Sequence, residues 1–397
     1  MNHPYFQQLN RTLQSYKRAV PSLLIDLDRL DQNLDTFQKS IRPEIDFRIV
    51  VKSLPSIPLL DYVMEKTSTN RLMVFHQPFL STLAHHYGDK ITILLGKPMP
   101  VQTTRYFYES LDTQSAFQPR QQLQWLIDTE TRLRQYLELA QQFQQKLLIN
   151  LEIDIGLHRG GFGDLKALRT VLQLIATHSE YLTFSGFMGY DPHVAALPKA
   201  LRSPQKSFRL ANHFYKSCID LVKTDFPELW QDGLTFNGAG SPTLAFHQHD
   251  SSILNEVAAG SALVKPTHFD IPTLAHYVPA CFIATPILKK MQGTTLPLLE
   301  KLKGVLNVWK PAFKQSYFIY GGYWKADFCY PPKTSINTIF GPSTNQSMIN
   351  TAAKVDLNVD DFVFLRPTQS EFVFLQFGDI LAIRNGKVVD HWKVLQN

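Results

Sequence analysis

Lys52 ends the segment Phe47-Arg48-Ile49-Val50-Val51-Lys52, a short apolar run that closes on an amine. An amine held partly out of water is less stable as a cation, so its pKa falls and it can attack a carbonyl to form a Schiff base. A lysine that merely reaches solvent at a strand end has the same local sequence. Leu151 to Phe162 carries Glu152 and Asp154, then His158-Arg159-Gly160-Gly161 on a glycine-rich turn. Arg159 can donate fixed hydrogen bonds to an oxyanion or phenolate there, or pair with Glu152 or Asp154 to hold the turn. In Gly186 to His193 a phenol and an imidazole, Tyr190 and His193, stand three residues apart. Either could move a proton beside a cofactor, although a packed Tyr190 and a solvated His193 satisfy the position equally well. Asn237-Gly238-Ala239-Gly240-Ser241-Pro242-Thr243 is a turn of small residues whose backbone can approach a phosphate, and Ala259-Gly260-Ser261 offers a second cradle.

Such residues need elements that bring them to one place. From residue 21 to about 265, short apolar, β-branched runs alternate with turns and helix-period stretches. The nine runs are Ser22 to Leu27, Phe47 to Val51, Leu72 to Phe75, Ile91 to Leu95, Leu123 to Ile127, Leu147 to Ile153, Phe184 to Met188, Leu234 to Asn237 and Glu256 to Ala262. Continuous apolar runs indicate strands covered on both faces, and strand–helix alternation implies parallel pairing. Eight such units close a (β/α)8 barrel and leave one run over, whereas nine are many for an open doubly wound sheet. Leu133, Tyr136, Leu137, Ala140 and Phe143 mark the buried face of one connecting helix, after an Asp128-Thr129 start. The chemical segments then fall at the carboxyl ends of barrel strands, where barrel enzymes build their sites.

Beyond about residue 275 the runs are Tyr277 to Thr285, Tyr317 to Tyr320, Phe362 to Leu365, Phe372 to Phe377 and Ile380 to Arg384. Asn385-Gly386 before Lys387 to Val389 is a hairpin signal. The chain therefore reads as α/β: a (β/α)8 TIM-type barrel over residues 19–270, followed by an antiparallel β domain over 275–397 that takes in residues 1–18.

At 397 residues the chain has room for two domains, and 44% hydrophobic against 19% charged residues excludes a mainly disordered one. Forty Lys and Arg against 34 Asp and Glu leave a net charge of +6. The densest basic clusters, Lys289-Lys290 and Lys301 to Lys303, lack the length and aromatic interleaving of a nucleic-acid tract. The excess better suits a pocket for an anionic cofactor. Cys218, Cys281 and Cys329 are odd in number and far apart, which removes a disulfide framework and points to a reducing cytoplasm. No apolar stretch has signal-peptide form or approaches the roughly eighteen residues that span a bilayer, so no membrane partner is expected.

The ordered lysine, arginine, tyrosine/histidine and paired glycine turns resemble the alanine racemase-like, fold type III family of pyridoxal phosphate enzymes. Within it they are most similar to the D-threonine aldolase and D-serine dehydratase branch. The resemblance runs from Pro21 to the carboxyl terminus. IDLDRLDQNL is similar to the family's opening segment, VVKSLP to its Schiff-base lysine segment and EIDIGLHRGGF to its His-Arg segment. GFMGYDPHV is similar to the aromatic loop, NGAGSPT to the phosphate turn and EVAAGSALV to the strand that completes the phosphate site. The resemblance implies that Lys52 holds pyridoxal 5'-phosphate as a Schiff base, that Arg159 faces its phenolic oxygen and that Tyr190 lies beside its ring. It implies that Gly240, Ser241, Gly260 and Ser261 bind the phosphate, with Asn237 and Gly238 in the same cofactor-binding turn. A homodimer acting on a small amino acid is implied as well.

Two positions depart from the family. Ala258 stands where some members place an arginine on the pyridine nitrogen. The branch also builds a divalent-metal site from a His followed by a Cys or Asp, yet between Cys329 and His391 there is neither His nor Cys. No metal ligand is therefore assigned, and a carboxylate-only magnesium or manganese site would have to use Glu371, Asp379 or Asp327. Loss of that electrophile raises proton transfer at Cα as a competitor. Gly322-Tyr323-Trp324-Lys325-Ala326-Asp327 resembles the loop on which racemases present a tyrosine across the dimer interface; packing of Tyr320, Tyr323, Trp324 and Phe328 into the β domain is the alternative. The expected activity is a lyase of D-threonine aldolase or D-serine dehydratase type using Lys52, Tyr190 and His193. The alternatives are a racemase using Lys52 and Tyr323, and a non-catalytic pyridoxal phosphate-binding protein.

Overall fold

Apolar runs covered on both faces become parallel strands because helices return the chain to the same edge each time. The computed structural model describes residues 3–112, 114–196, 203–248, 252–292, 315–352, 355 and 357–396. The first run is β1 (Ser22–Asp26). The next eight are β2 (Asp46–Val50), β3 (Arg71–Val74), β4 (Thr92–Leu95), β5 (Leu123–Ile127), β6 (Leu147–Glu152), β7 (Leu182–Gly189), β8 (Thr235–Gly238) and β9 (Glu256–Ala259). Strands β2 to β9 pair in chain order, all parallel, and the barrel closes where β9 meets β2 with Ala259 opposite Ile49. This is the expected (β/α)8 barrel, and the run left over is the first.

Helix Glu130–Phe143 between β5 and β6 starts where the Asp128-Thr129 signal puts it, with Thr129 Oγ1 accepting from Arg132 N at 3.2 Å. Leu133, Tyr136, Leu137 and Ala140 are buried on the barrel wall, and Phe143 is half-buried. One layer of the barrel interior is polar. Gln124 on β5 donates to Thr235 Oγ1 on β8 at 2.9 Å, across strands that are not neighbours, and Asn150 Nδ2 donates to Gln124 Oε1 at 3.0 Å. Fully buried Arg48 donates through Nε and Nη2 to Glu256 Oε1 and Oε2 at 2.6 and 2.8 Å, and through Nη1 to Leu72 O at 3.0 Å. A buried charge pair persists only when its remaining donors and acceptors are met, and Arg71 Nη1 and Asn237 Nδ2 also reach Glu256, at 3.1 and 2.8 Å.

The remaining strands are β10 (Cys281–Gln292), β11 (Gln315–Tyr320), β12 (Ala326–Tyr330), β13 (Thr334–Ile336), β14 (Gln346–Thr351), β15 (Phe362–Pro367), β16 (Asp379–Arg384) and β17 (Lys387–Lys393). With β1 they form a nine-stranded sheet among the described residues, running β13-β14-β11-β10-β1-β16-β17, with β15 on β10 and β12 on β15. Its pairs are antiparallel except β1 on β16, which is parallel, so the expected antiparallel β domain is mostly but not wholly so. The β16–β17 hairpin turns on Asn385 and Gly386 at φ 49° and 68°, the two positive angles of a type I′ turn. Phe372 to Phe377, one of the apolar runs assigned to this domain, is helical instead. Glu371–Phe374 and a 3-10 turn Leu375–Phe377 bury Val373 and Phe374 but expose Phe372, a helical grouping rather than an alternation.

The chain divides into two compact units. Leu34–Ala262, Ile271–His276 and Leu395–Asn397 hold the barrel; Met1–Asn33, Leu263–Asp270 and Tyr277–Val394 hold the sheet. Lys289-Lys290 lies in β10, whereas Lys301 to Lys303 lies outside the described residues. No helix among the described residues is long and apolar enough to cross a membrane.

Candidate active site

β2 stops at Val50 and tightens at once into the single 3-10 turn Val51–Ser53, closed by Leu54 N donating to Val51 O at 2.9 Å. Lys52 therefore leaves the strand direction at the carboxyl rim of the barrel. It is half-buried, with Nζ 4.4 Å from the centre of the Phe75 ring just past β3. Gly96, just past β4, makes room for that ring, since a Cβ there would stand 2.2 Å from Phe75 Cζ.

Because β9 closes on β2, the last glycine turn arrives beside Lys52. A Cβ on Gly260 would lie 2.8 Å from both Ser53 Cβ and Val50 O, and the hydroxyls of Ser261 and Ser53 are bonded at 3.0 Å. Ser241 Oγ accepts from Ala262 N at 2.9 Å, which stitches the turn after β8 to the turn after β9. Gly260→Ala should therefore push on backbone that has nowhere to go. The expected cost is about 1–3 kcal/mol, read as a lower urea midpoint at unchanged slope. An unchanged midpoint would show that the rim is looser than this packing requires.

On the neighbouring strands, Asp154 accepts from Gly156 N at 3.0 Å and His158 N at 2.9 Å, and pairs with His158 Nδ1 at 2.9 Å. Burial pushes the Asp154 carboxyl up, but these bonds outweigh it and leave its pKa below the ordinary value. With Asp154 engaged by His158, the Arg159 guanidinium lies over the Tyr190 ring, 4.8 Å from its centre. Burial holds the Glu152 carboxyl above its ordinary pKa despite the opposing charge of Arg159. Gly240 admits the Tyr190 ring, because a Cβ there would stand 2.7 Å from Cε2. His193 opens the short helix His193–Ala196, with Nε2 3.2 Å from where a Cβ on Gly156 would be.

Asn237 and Gly238 sit at the base of the turn, with their side-chain space taken by packing. Asn237 is the residue that donates to Glu256 inside the barrel, and a Cβ on Gly238 would stand 2.7 Å from Leu254 Cδ1. Tyr323 belongs to the sheet unit, between β11 and β12, after Gly321 and Gly322 at φ 72° and 129°. Tyr320 and Tyr323 are 41% and 66% exposed, so they do not pack as an aromatic cluster, and Trp324 contacts Phe377 with ring centres 5.6 Å apart. Asp379 pairs with Arg18 at 2.9 Å and Asp327 accepts from Thr267 Oγ1 at 2.6 Å. Among the described residues no group of three or more His, Cys, Asp or Glu gathers as a metal-ligand set.

Three residues that no motif singles out enter this rim. Ser53 follows Lys52, Asp191 follows Tyr190, and His76 follows Phe75, so adjacency to a strand end is the signal that could have found them. His76 Nε2 is buried without a hydrogen-bond partner among the described residues, and burial, then the Lys97 charge, hold its imidazole below the ordinary pKa. Together the rim offers an amine, a guanidinium over an aromatic ring, and two turns that only glycine fits, joined by serine hydroxyls. That donor set suits an aldehyde carrying a phosphate.

Residues 25–267 match the family model of the alanine racemase N-terminal domain. No curated protein matches the chain. Among solved structures it is similar to D-threo-3-hydroxyaspartate dehydratase from Delftia sp. HT23, at 15% identity over 96% of this chain and 98% of that one, with a TM-score of 0.70. It is similar to D-threonine aldolase from Filomicrobium marinum at 15% identity over 95% and 96%, with a TM-score of 0.67. It is also similar to alanine racemase from Bacillus anthracis at 15% identity over 95% and 98%, with a TM-score of 0.68. At such identity the likeness is one of fold, shared by proteins named for three different reactions.

Proposed function

Because the chain belongs to the alanine racemase N-terminal domain family of fold type III pyridoxal phosphate enzymes, we propose that it is a pyridoxal phosphate-dependent lyase acting on a small D-amino acid. The observation that carries this reading is the common rim: Lys52 after β2, Gly260 and Ser261 after β9, and Gly240 and Ser241 after β8 stand on three strands that are neighbours around the barrel.

When bound, pyridoxal phosphate withdraws electrons from an attached amino acid and acidifies its Cα–H. Gly240, Ser241, Gly260 and Ser261 would take the phosphate, and Lys52 would hold the aldehyde carbon. The Lys52 amine would be the base that receives the Cα proton or the proton of a β-hydroxyl. Tyr190 supplies a flat wall, Arg159 over its ring supplies fixed donors for an oxyanion, and His193 is the second proton carrier on this rim. Ala258, 4% exposed, offers no charged partner to a ring nitrogen. A homodimer in a reducing cytoplasm completes the reading, in keeping with three free cysteines.

A racemase is the second reading, favoured by one observation: the Tyr323 phenol is 66% exposed rather than consumed by packing. The two separate in one assay. Protein loaded with pyridoxal phosphate, given D-serine or D-threonine with and without added divalent metal, is expected to release a 2-oxo acid or an aldehyde. Solvent deuterium entering Cα with loss of optical activity, and no such product, would replace the lyase reading with the racemase. Bound cofactor with neither outcome would leave a protein that binds the cofactor without turning substrate over.

A further inference from the structure

A buried polar chain ties the loop bearing Tyr190 to the glycine turn after β8. Asp191, 1% exposed, accepts from Thr243 Oγ1 through Oδ1 at 2.6 Å and is bonded through Oδ2 to His247 Nε2 at 2.9 Å. His247, 2% exposed, is bonded through Nδ1 to Ser252 Oγ at 2.9 Å, and Ser252 Oγ accepts from Leu254 N at 3.3 Å just before β9. Phe208, from helix Pro204–Asp225, lies edge-on to the His247 ring with centres 4.9 Å apart, so the chain sits in apolar surroundings. A carboxylate is costly in such a place unless its acceptors are met, and here the two side chains that flank the single 3-10 turn Leu244–Phe246 meet them.

The position of the carboxylate matters more than its cost. Asp191 is covalently next to Tyr190, whose ring occupies the space beside Gly240, while Thr243 N closes the same turn onto Gly240 O at 2.9 Å. One side chain therefore sets both the aromatic wall and the turn that carries Gly240 and Ser241. We propose that Asp191 is a positioning residue for phosphate binding, acting through Thr243 on the glycine turn and held in aim by His247. The inference rests on the cofactor reading above but concerns a residue that touches neither the amine nor the turn's backbone donors.

The test compares two aldehydes titrated into apoprotein and followed by absorbance at about 420 nm: pyridoxal phosphate, and pyridoxal, which lacks the phosphate. Asp191→Asn and Thr243→Val are each expected to weaken pyridoxal phosphate binding about tenfold, equivalent to about 1.4 kcal/mol, while pyridoxal binding changes by less than about twofold. His247→Gln, which keeps a donor near the Nε2 position, should hold pyridoxal phosphate affinity within about twofold of wild type. Equal weakening of both aldehydes, or none for pyridoxal phosphate, overturns the proposal while leaving the cofactor reading intact. Wild-type protein that binds neither aldehyde overturns the cofactor reading, and this proposal with it. If Asp191→Asn does not fold, Thr243→Val alone decides, because it removes one hydroxyl and leaves the carboxylate with His247.

Discussion

Lys52→Ala is expected to remove the absorbance at about 420 nm of bound pyridoxal phosphate and to lower turnover by about 10²- to 10⁴-fold or more. The size follows from two duties on one amine, holding the aldehyde and moving the substrate's proton, neither of which a methyl group can perform. Stability should change little, because Lys52 is half-buried at the barrel rim, with Nζ 4.4 Å from the centre of the Phe75 ring. Circular dichroism and the melting temperature check that the variant is folded, and absorbance checks the cofactor. Retention of the band in folded Lys52→Ala would move the assignment elsewhere, and Lys97, exposed just past β4, would be the first lysine to test.

Glu256→Ala should lower stability by about 3–5 kcal/mol, the cost of stranding one half of a buried ion pair. The fully buried Arg48 guanidinium would keep only carbonyl partners, Leu72 O at 3.0 Å and Thr92 O at 3.3 Å, and Asn237 would lose its acceptor. Urea unfolding at constant slope measures the loss. Arg48→Met combined with Glu256→Leu should recover most of it, because two apolar side chains of similar length leave no charge unpaired. A loss below about 1 kcal/mol in Glu256→Ala would mean that water reaches this layer and that the pair is not desolvated. The same variant bears on the site, since Glu256 anchors Asn237 at the base of the glycine turn.

Much of this was readable along the chain. Strand–helix alternation, the Thr129 start of helix Glu130–Phe143 and the Asn385-Gly386 turn depend on contacts between residues a few positions apart, so their patterns survive in a linear reading. Other features did not survive it. Phe372 to Phe377 is apolar enough for a strand, and only its neighbours decide that Val373 and Phe374 go inward together. The first of nine similar runs leaves the barrel because β1 finds β10 and β16, more than 250 residues away in sequence, and no local pattern records that choice. The motif places Asn237 in the cofactor-binding turn, but only the register of β8 on β9 decides that its amide is bonded to Glu256.

From the sequence alone, the residue types of the candidate site, their order and the barrel that carries them could be determined, because each motif is contiguous and sits at the end of its own apolar run. Tertiary structure alone decided which of them meet. Closure of β9 on β2 sets Ser261 against Ser53 beside Lys52, and the buried Asp191 joins Thr243 and His247, 52 and 56 residues further on at the two ends of one 3-10 turn. Backbone geometry dictates local periods, whereas closure and burial select long-range partners by fit, and fit belongs to the folded barrel rather than to any one segment.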